Sequence, residues 1–249
     1  MISKDLYSVI IPVFNSESTL NELVNRIQKH FLVEKKGCEI ILVNDGSTDT
    51  SDTICKQLTH QHSNIIYIRL KRNLGQHKAV LCGIHYSSGD YFITLDDDLQ
   101  NPPEEISKLI VKMKEGYDVV FGRYKKKKHS LIRNMGSKLI GLLNKILFQK
   151  PDDLVISNFR LFKRSVADKM LSHEFRYPYI PGMLLMAAEH VTNVETLHES
   201  RQKGISGYSF SKLLLLTCHI LLLGIFKQKS HWLSDGKLNV LEEILLYEA

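Results

Sequence analysis

Three consecutive aspartates, Asp96, Asp97 and Asp98, are the residues of this sequence best suited to chemistry. They follow an apolar run, residues 91–95, that is typical of a buried strand, and residues 102–104 (Pro-Pro-Glu) come shortly after them. Because adjacent carboxylates repel one another, such a cluster at a buried strand end indicates a compensating cation. Oxygen ligands of this kind suit Mg²⁺ or Mn²⁺, which also hold substrate phosphates. The alternative is a solvated acidic turn, since aspartate is common in loops.

Polar residues also follow the other apolar segments in the first half of the chain. Five segments are predicted to be strands: residues 8–13, 39–43, 65–70, 91–95 and 118–122. Asn15 follows the first, Asp45 the second, Arg72 and Asn73 the third, and the acidic cluster the fourth. Helical spacing between the strands predicts an α/β fold with a parallel, doubly wound sheet, in which ligands bind beyond the carboxyl ends of the strands. This shared location favours a binding site over a solvated turn.

The pattern changes after about residue 123. Residues 132–147 have the spacing of a long amphipathic helix, residues 159–162 and 191–198 resemble strands, and residues 166–171 a short helix. Leu213–Phe226 is an apolar helical run, shorter than the roughly 20 residues that a membrane-spanning helix needs. We therefore expect one domain over residues 1–210 and a C-terminal helical segment over residues 211–249, whose apolar helix is either buried or associated with a membrane interface.

Composition narrows the classes of partner. The 249 residues are 43% hydrophobic and 24% charged, which is typical of a folded soluble protein. The formal net charge of +6 and the run Lys125–Lys128 suit a polyanion, such as a nucleotide, nucleic acid or anionic lipid surface, although a merely solvated face is the alternative. The four cysteines form no C-x-x-C pair, which argues against zinc and a disulfide framework and favours a reducing cytosol. Residues 1–5 lead directly into a strand, so no secretory signal is expected.

Six motifs follow one another over about residues 7–210: Ile10–Asn15, Glu39–Asp49, Arg72–Gln76, Asp96–Glu104, Phe159–Leu161 and Arg201–Ser206. Taken in this order, they resemble the inverting family 2 glycosyltransferases of the GT-A fold, especially the polyprenyl-phosphate glycosyltransferases of the dolichol-phosphate mannose synthase type. The resemblance implies a Rossmann-like, mostly parallel sheet flanked by helices, followed by a C-terminal amphipathic and apolar helical segment.

The resemblance also implies roles for individual residues. In this family pattern the metal ligands would be Asp96, Asp98 and Gln100; the donor nucleotide would contact Pro12, Asn15, Asp45, Asn73, Gln76 and Arg123; and catalysis would involve Asp96, Asp98, Arg160 and Arg201. Asp45 would recognise the base edge, although an Asx turn is the alternative. Asp97 occupies the variable middle position and, since side chains alternate along an extended segment, would turn away from its neighbours.

The function implied is metal-dependent, inverting transfer of a sugar from a UDP- or GDP-type donor to a polyprenyl phosphate. The cofactor would be Mg²⁺ or Mn²⁺. Transfer to a hydroxyl of a glycan or glycolipid, or a non-catalytic nucleotide-binding module, are the alternatives. The expected partners include an anionic membrane surface and no nucleic acid, a homo-oligomer is left open, and the expected location is cytoplasmic, peripheral at the inner face of the cell membrane.

One position departs from the family pattern. Many relatives carry an aspartate before the Phe-Arg-Leu motif, which is discussed as a catalytic base, whereas this chain has Asn158. Asparagine cannot accept a proton at neutral pH. A phosphate acceptor is largely ionised already and needs no base, whereas a hydroxyl normally needs one. Asn158 therefore favours a phosphate acceptor, with Asp96, Asp97 and His198 as alternative bases.

Overall fold

The computed structural model describes residues 5–124, 131–172, 178–199, 217–218, 220–223 and 244–246. Its strands are Leu6–Val13 (β1), Gly37–Asn44 (β2), Ile65–Leu70 (β3), Tyr91–Thr94 (β4), Val119–Tyr124 (β5), Arg160–Lys163 (β6), Val191–Thr196 (β7) and Ile244–Leu246 (β8). Its helices are Leu20–Glu34 (α1), Ser51–Gln61 (α2), Gln76–His85 (α3), Ile106–Met113 (α4), Leu131–Phe148 (α5), Arg164–Leu171 (α6) and Ile180–Ala187 (α7), with a 3-10 turn at Pro103–Glu105.

The strands form one mixed sheet in the order β7-β5-β6-β4-β1-β2-β3-β8. The neighbours β4, β1, β2 and β3 are parallel, as the alternation of strands and helices predicts. The strand β6 runs antiparallel between β4 and β5, so Thr94 at the end of β4 pairs with Arg160 at the start of β6. An antiparallel strand therefore begins at the sheet edge where its parallel neighbours end, which brings Arg160 to the acidic cluster.

Helices cover both faces of the sheet. The helices α1, α2 and α4 pack with alternate strand residues such as Val9, Ile11 and Val13. The helices α3, α5, α6 and α7 pack with the intervening ones, such as Ile10 and Ile41. Because these strands are buried on both faces, they are continuous apolar runs in the sequence. The expected α/β fold, with a mostly parallel sheet flanked by helices, is confirmed.

A buried carboxylate ties the strands together at the opposite edge of the sheet. Glu39 accepts hydrogen bonds from the hydroxyls of Ser8 and Ser88, at 2.6 Å each, and from the backbone N–H groups of Ser88 and Gly89 at 2.6 and 3.2 Å. Since buried polar groups need partners, this network satisfies five of them at once. It fixes β1 and β2 to the turn before β4, and thus the strand that carries the aspartates.

The C-terminal region is described only in part. Residues 217–218 and 220–223 are helical, in agreement with the apolar helix expected there, and Ile220 and Leu223 are buried. The strand β8, which the sequence pattern did not indicate, pairs antiparallel with β3. Among the described residues, no helix is both long and apolar enough to cross a membrane. The lysine run at residues 125–128 and all of residues 201–216 and 224–243, which include Arg201, lie outside the described ranges.

Candidate active site

The acidic cluster lies beyond the carboxyl end of β4, between loops from three other parts of the chain. Asp96 accepts a hydrogen bond from Gln76 Nε2 at 2.6 Å, at the start of α3. It also accepts from Asn158 Nδ2, which lies 3.3 Å from both carboxylate oxygens. A narrow cleft beside it is lined by Pro12, Gln76, Val80, Thr94, Leu95, Asp96, Asn158 and Arg160. The structure therefore brings three other predicted site residues, Pro12, Gln76 and Arg160, together with Asp96.

Asp97 turns away from this cleft, as the alternation along an extended segment predicts. Its carboxylate accepts the backbone N–H of Phe14 at 3.0 Å and the hydroxyl of Ser16. One oxygen of Asp98 accepts the backbone N–H of Gln100 at 3.1 Å. The three carboxylates thus face different surroundings.

The electrostatics of the cluster favour a bound cation. Burial, and then the neighbouring Asp98 carboxylate, raise the pKa of Asp96, while hydrogen bonds from Asn158 and Gln76 oppose the rise. Burial also raises the pKa of Asp97 to about 6. Each upward shift means that the protein environment disfavours the negative charge. A divalent cation would remove that penalty, so the chemistry of the site fits Mg²⁺ or Mn²⁺.

The protein offers only part of a coordination sphere. In the portion of the chain that the structure describes, no group of three His, Cys, Asp or Glu side chains is placed to hold a metal ion by itself. Asp96 and Asp98 would supply two carboxylates, with Gln100 close by, and leave the remaining positions to substrate oxygens and water. This is the usual arrangement for Mg²⁺ at sites that bind phosphates.

Arg160 is a buried cation with an unused donor. Only 1% of its surface is exposed, its Nε donates to Thr94 Oγ1 at 2.9 Å, and its Nη1 has no hydrogen-bond partner among the residues that the structure describes. Burial lowers the pKa of Arg160 to about 10, and the Asp96 carboxylate partly offsets this effect. A buried donor without a partner is costly. Arg160 thus lines the cleft beside Asp96, and its Nη1 N–H is a donor that an anion in the cleft could use.

Hydrogen bonds to two of the residues that were expected to contact the donor join the loops after β1, β2 and β3. Asn15 Oδ1 accepts the backbone N–H of Thr48 at 2.8 Å. Asp45 accepts the backbone N–H groups of Leu74 and Gly75 at 2.6 and 2.9 Å. Burial raises the pKa of Asp45, and these two hydrogen bonds oppose the rise. In this structure the two side chains therefore hold the walls of the pocket in place.

The Asx turn considered for Asp45 is not formed, because both of its carboxylate oxygens accept N–H groups of the loop between β3 and α3. Asn44 Oδ1 accepts the backbone N–H of Ser47 at 2.9 Å, while its Nδ2 donates to the Tyr67 hydroxyl at 3.0 Å. Gly46 follows with a φ of 71°, a conformation that favours glycine. Asn44 lies in the motif Glu39–Asp49, but the sequence analysis gave it no individual role.

The other predicted donor contacts differ in their surroundings. Asn73 is exposed in the loop between β3 and α3, with its backbone against Gly46. Arg123 is exposed near the end of β5, two residues beyond Phe121, the partner of Arg160, and it does not line the cleft around Asp96. The backbone leading toward Arg201 is held at the cluster, because Glu199 N–H donates to the Gln100 carbonyl at 2.8 Å.

Comparison with known sequences decides the family. The model of "Glycosyl transferase family 2" matches residues 8–171, a range that begins within β1, includes β2–β6 and contains the whole acidic cluster. The chain belongs to glycosyl transferase family 2. This family 2 protein therefore carries the cluster within the segment that its family shares.

Curated relatives have a more specific description. The chain is 39% identical over 221 residues to an undecaprenyl-phosphate 4-deoxy-4-formamido-L-arabinose transferase from Salmonella choleraesuis, an alignment covering 85% of this chain. The protein of the same description from Salmonella agona matches at the same identity and coverage. The chain spans 66% of the length of each of these relatives.

Solved structures show the same fold at low identity. Glucosyl-3-phosphoglycerate synthase from Mycobacterium tuberculosis, in complex with Mn²⁺, uridine diphosphate and phosphoglyceric acid, superposes with a TM-score of 0.65 at 16% identity, covering 91% of this chain and 79% of the other. The same enzyme with Mg²⁺ and uridine diphosphate gives 0.64, at 16% identity and with 91% and 80% coverage. The expected GT-A fold is thereby confirmed.

Proposed function

We propose that this family 2 protein transfers a sugar from a nucleoside diphosphate donor to a polyprenyl phosphate, with inversion at the anomeric carbon. The donor would be of the UDP or GDP type, and Mg²⁺ or Mn²⁺ would bind at Asp96 and Asp98. The family supports glycosyl transfer. The name of the relatives at 39% identity supports the acceptor class, and the Mn²⁺, Mg²⁺ and uridine diphosphate of the structural neighbours support the donor side.

The observation that carries the proposal is the neutral amide of Asn158 beside Asp96. Its Nδ2 donates to both oxygens of Asp96, so an amide, which accepts no proton at neutral pH, stands beside the carboxylate, and Asp96 itself would be bound to the cation. Asp97 is engaged by Phe14 and Ser16. His198, the third alternative base, stacks on Tyr124 with ring centroids 4.2 Å apart. A hydroxyl acceptor would have to use one of these already engaged groups as its base, whereas an ionised phosphate needs none.

In this mechanism the chain binds two anions on opposite sides of the sugar. Arg160 Nη1 would donate a hydrogen bond to an oxygen of the acceptor phosphate in the cleft. A phosphate oxygen then forms a bond to the anomeric carbon as the bond to the donor diphosphate breaks, so the products are a polyprenyl phosphosugar and a nucleoside diphosphate. A cation bound at Asp96 and Asp98 would offset the charge that develops on the leaving diphosphate. No net proton transfer is needed.

Calorimetric titration with UDP, GDP and ADP, each with Mn²⁺ or with EDTA, tests the donor side. We expect UDP or GDP to bind more tightly with Mn²⁺, and the substitution Asp98→Asn to remove that gain. Asp118→Asn is the matched control, because Asp118 lies before β5 at the opposite end of the sheet, where its carboxylate pairs with Lys163 Nζ at 2.9 Å. Equal binding of ADP, or a full Mn²⁺ effect in Asp98→Asn, would contradict the proposal.

We further propose peripheral binding to an anionic membrane. On the described part of α5, Leu142 and Ile146 are 53% and 66% exposed and lie one turn apart, while Leu143 and Leu147 pack on the core. The lysine run at residues 125–128 precedes this helix in the sequence. Apolar helix faces insert into the membrane interface, and nearby lysines attract anionic lipid at about 1 kcal/mol each.

Liposome flotation tests the membrane proposal. Vesicles with phosphatidylglycerol should carry the protein at low salt, and binding should weaken with added salt and on replacing both Leu142 and Ile146 by Ser. Val111→Ser, a substitution of an exposed apolar residue on α4, is the control that should float as the wild type does. A protein that stays unbound at low salt would contradict peripheral attachment.

A further inference from the structure

The loop between β1 and α1 holds its central residue in an uncommon conformation. Asn15 has a φ of 53°, in the left-handed region that residues other than glycine rarely adopt. Its side chain is already committed to the neighbouring loop, where Oδ1 accepts the Thr48 N–H at 2.8 Å. A residue in such a conformation persists only when its surroundings hold it there.

Asp97 supplies contacts on both sides of Asn15. Its Oδ2 accepts the backbone N–H of Phe14, at 3.0 Å, and the hydroxyl of Ser16. Its backbone carbonyl accepts the hydroxyl of Thr19 at 2.6 Å, just before α1 begins. Hydrogen bonds to an ionised acceptor are stronger than those between neutral groups. Asp97 is therefore the principal attachment of residues 14–19 to the β4 loop.

We propose that Asp97 is a positioning residue that fixes the β1–α1 loop for donor binding. Asp96 and Asp98 on either side of it would hold the cation, so one tripeptide would align the metal site with the wall of the nucleotide pocket. The inference rests on the proposed function in one respect, because it takes Asn15 to line the donor nucleotide site. Nothing in it requires Asp97 to touch the metal, the donor or the acceptor.

Hydrogen exchange measured by mass spectrometry tests the positioning role without any substrate. In Asp97→Ala the amide of Phe14 should exchange at least about tenfold faster than in the wild type, since its hydrogen bond to a charged group is lost. Asp97→Asn, which keeps one acceptor oxygen, should show a smaller effect. The control Asp98→Asn should leave exchange in this loop unchanged. Equal protection in all variants, or the same acceleration in Asp98→Asn, would overturn the proposal.

Titration with UDP and Mn²⁺ measures the consequence for the donor. Asp97→Ala should weaken UDP binding by roughly tenfold, and Asp97→Asn by less. Ser16→Ala should weaken binding in the wild type but add little in the Asp97→Ala background, because the two side chains act through one contact. Additive effects would overturn the proposal. If wild type binds neither UDP nor GDP, the proposed function fails, and the exchange result then supports or overturns the positioning role by itself.

Discussion

Replacing Arg160 by methionine should abolish transfer while leaving the protein at least as stable as the wild type. The guanidinium is 1% exposed, and among the described residues its hydrogen bonding is limited to Thr94 Oγ1. No ion pair within 4.0 Å links it to Asp96 or to another described carboxylate. Methionine is unbranched and apolar, so it fits the volume of the arginine stem without a charge.

The magnitude follows from the burial of the charge. Burial lowers the pKa of Arg160 from 12.5 to about 10, and at 1.36 kcal/mol per pH unit the charged form is disfavoured by roughly 3 kcal/mol. Losing the hydrogen bond to Thr94 costs about 1 kcal/mol. We therefore expect the free energy of unfolding to stay the same or to rise by about 2 kcal/mol. Turnover should fall at least about a hundredfold, as for the loss of other charge-stabilising donors.

Urea denaturation followed by circular dichroism measures the first quantity, and transfer to a polyprenyl phosphate the second. Arg164→Met is the matched control four residues further along the chain. Arg164 donates to the carbonyls of Gly89 and Ser87 at 2.7 and 3.1 Å and lies over the Phe92 ring. The control should lose stability and keep turnover per folded molecule. A loss of more than about 2 kcal/mol in Arg160→Met, or wild-type turnover, would refute the reasoning.

Three further predictions concern other parts of the fold. In Gly46→Ala the new Cβ would lie 2.6 Å from Asn73 N, so we expect a lower melting temperature and at least about tenfold weaker UDP binding. Unchanged UDP binding would count against a role for the contact between Gly46 and Asn73. Burial lowers the pKa of His30, so below about pH 6.5 the unfolded chain binds a proton there more readily than the folded protein does, and the free energy of unfolding falls. His30→Phe should therefore make the melting temperature depend less on pH between pH 7.5 and 5. The same pH dependence in the variant and the wild type would contradict this. Glu39→Ala leaves buried donors without an acceptor and should cost about 3 kcal/mol in urea denaturation, whereas the exposed Glu22→Ala should cost little.

The strands were predictable because burial on both faces makes them continuous apolar runs. Residues 8–13 and 39–43 lie inside β1 and β2, and the acidic cluster was therefore located at the correct edge. The direction of β6 could not be predicted, since pairing depends on the path of the chain between residues 124 and 160. That direction decides the place of Arg160 beside Thr94.

The detailed roles of the loop residues were harder to predict from residue type. Asn44, Asn15 and Asp45 all occur in turn sequences, and side-chain type alone does not distinguish a turn, a clamp between loops and a ligand contact. The structure shows a turn for Asn44 and clamps for Asn15 and Asp45. The strand β8 was missed because three apolar residues in a polar tail carry too little periodicity to indicate a strand.

The most direct test of the central claim offers the protein two acceptors that differ only in the phosphate. Undecaprenyl phosphate and undecaprenol are incubated with radiolabelled UDP- and GDP-sugars and Mn²⁺, and the organic phase is counted before and after mild acid. The account predicts label on the phosphate acceptor alone, released by mild acid. Label on undecaprenol, or transfer that does not depend on the phosphate, would contradict it.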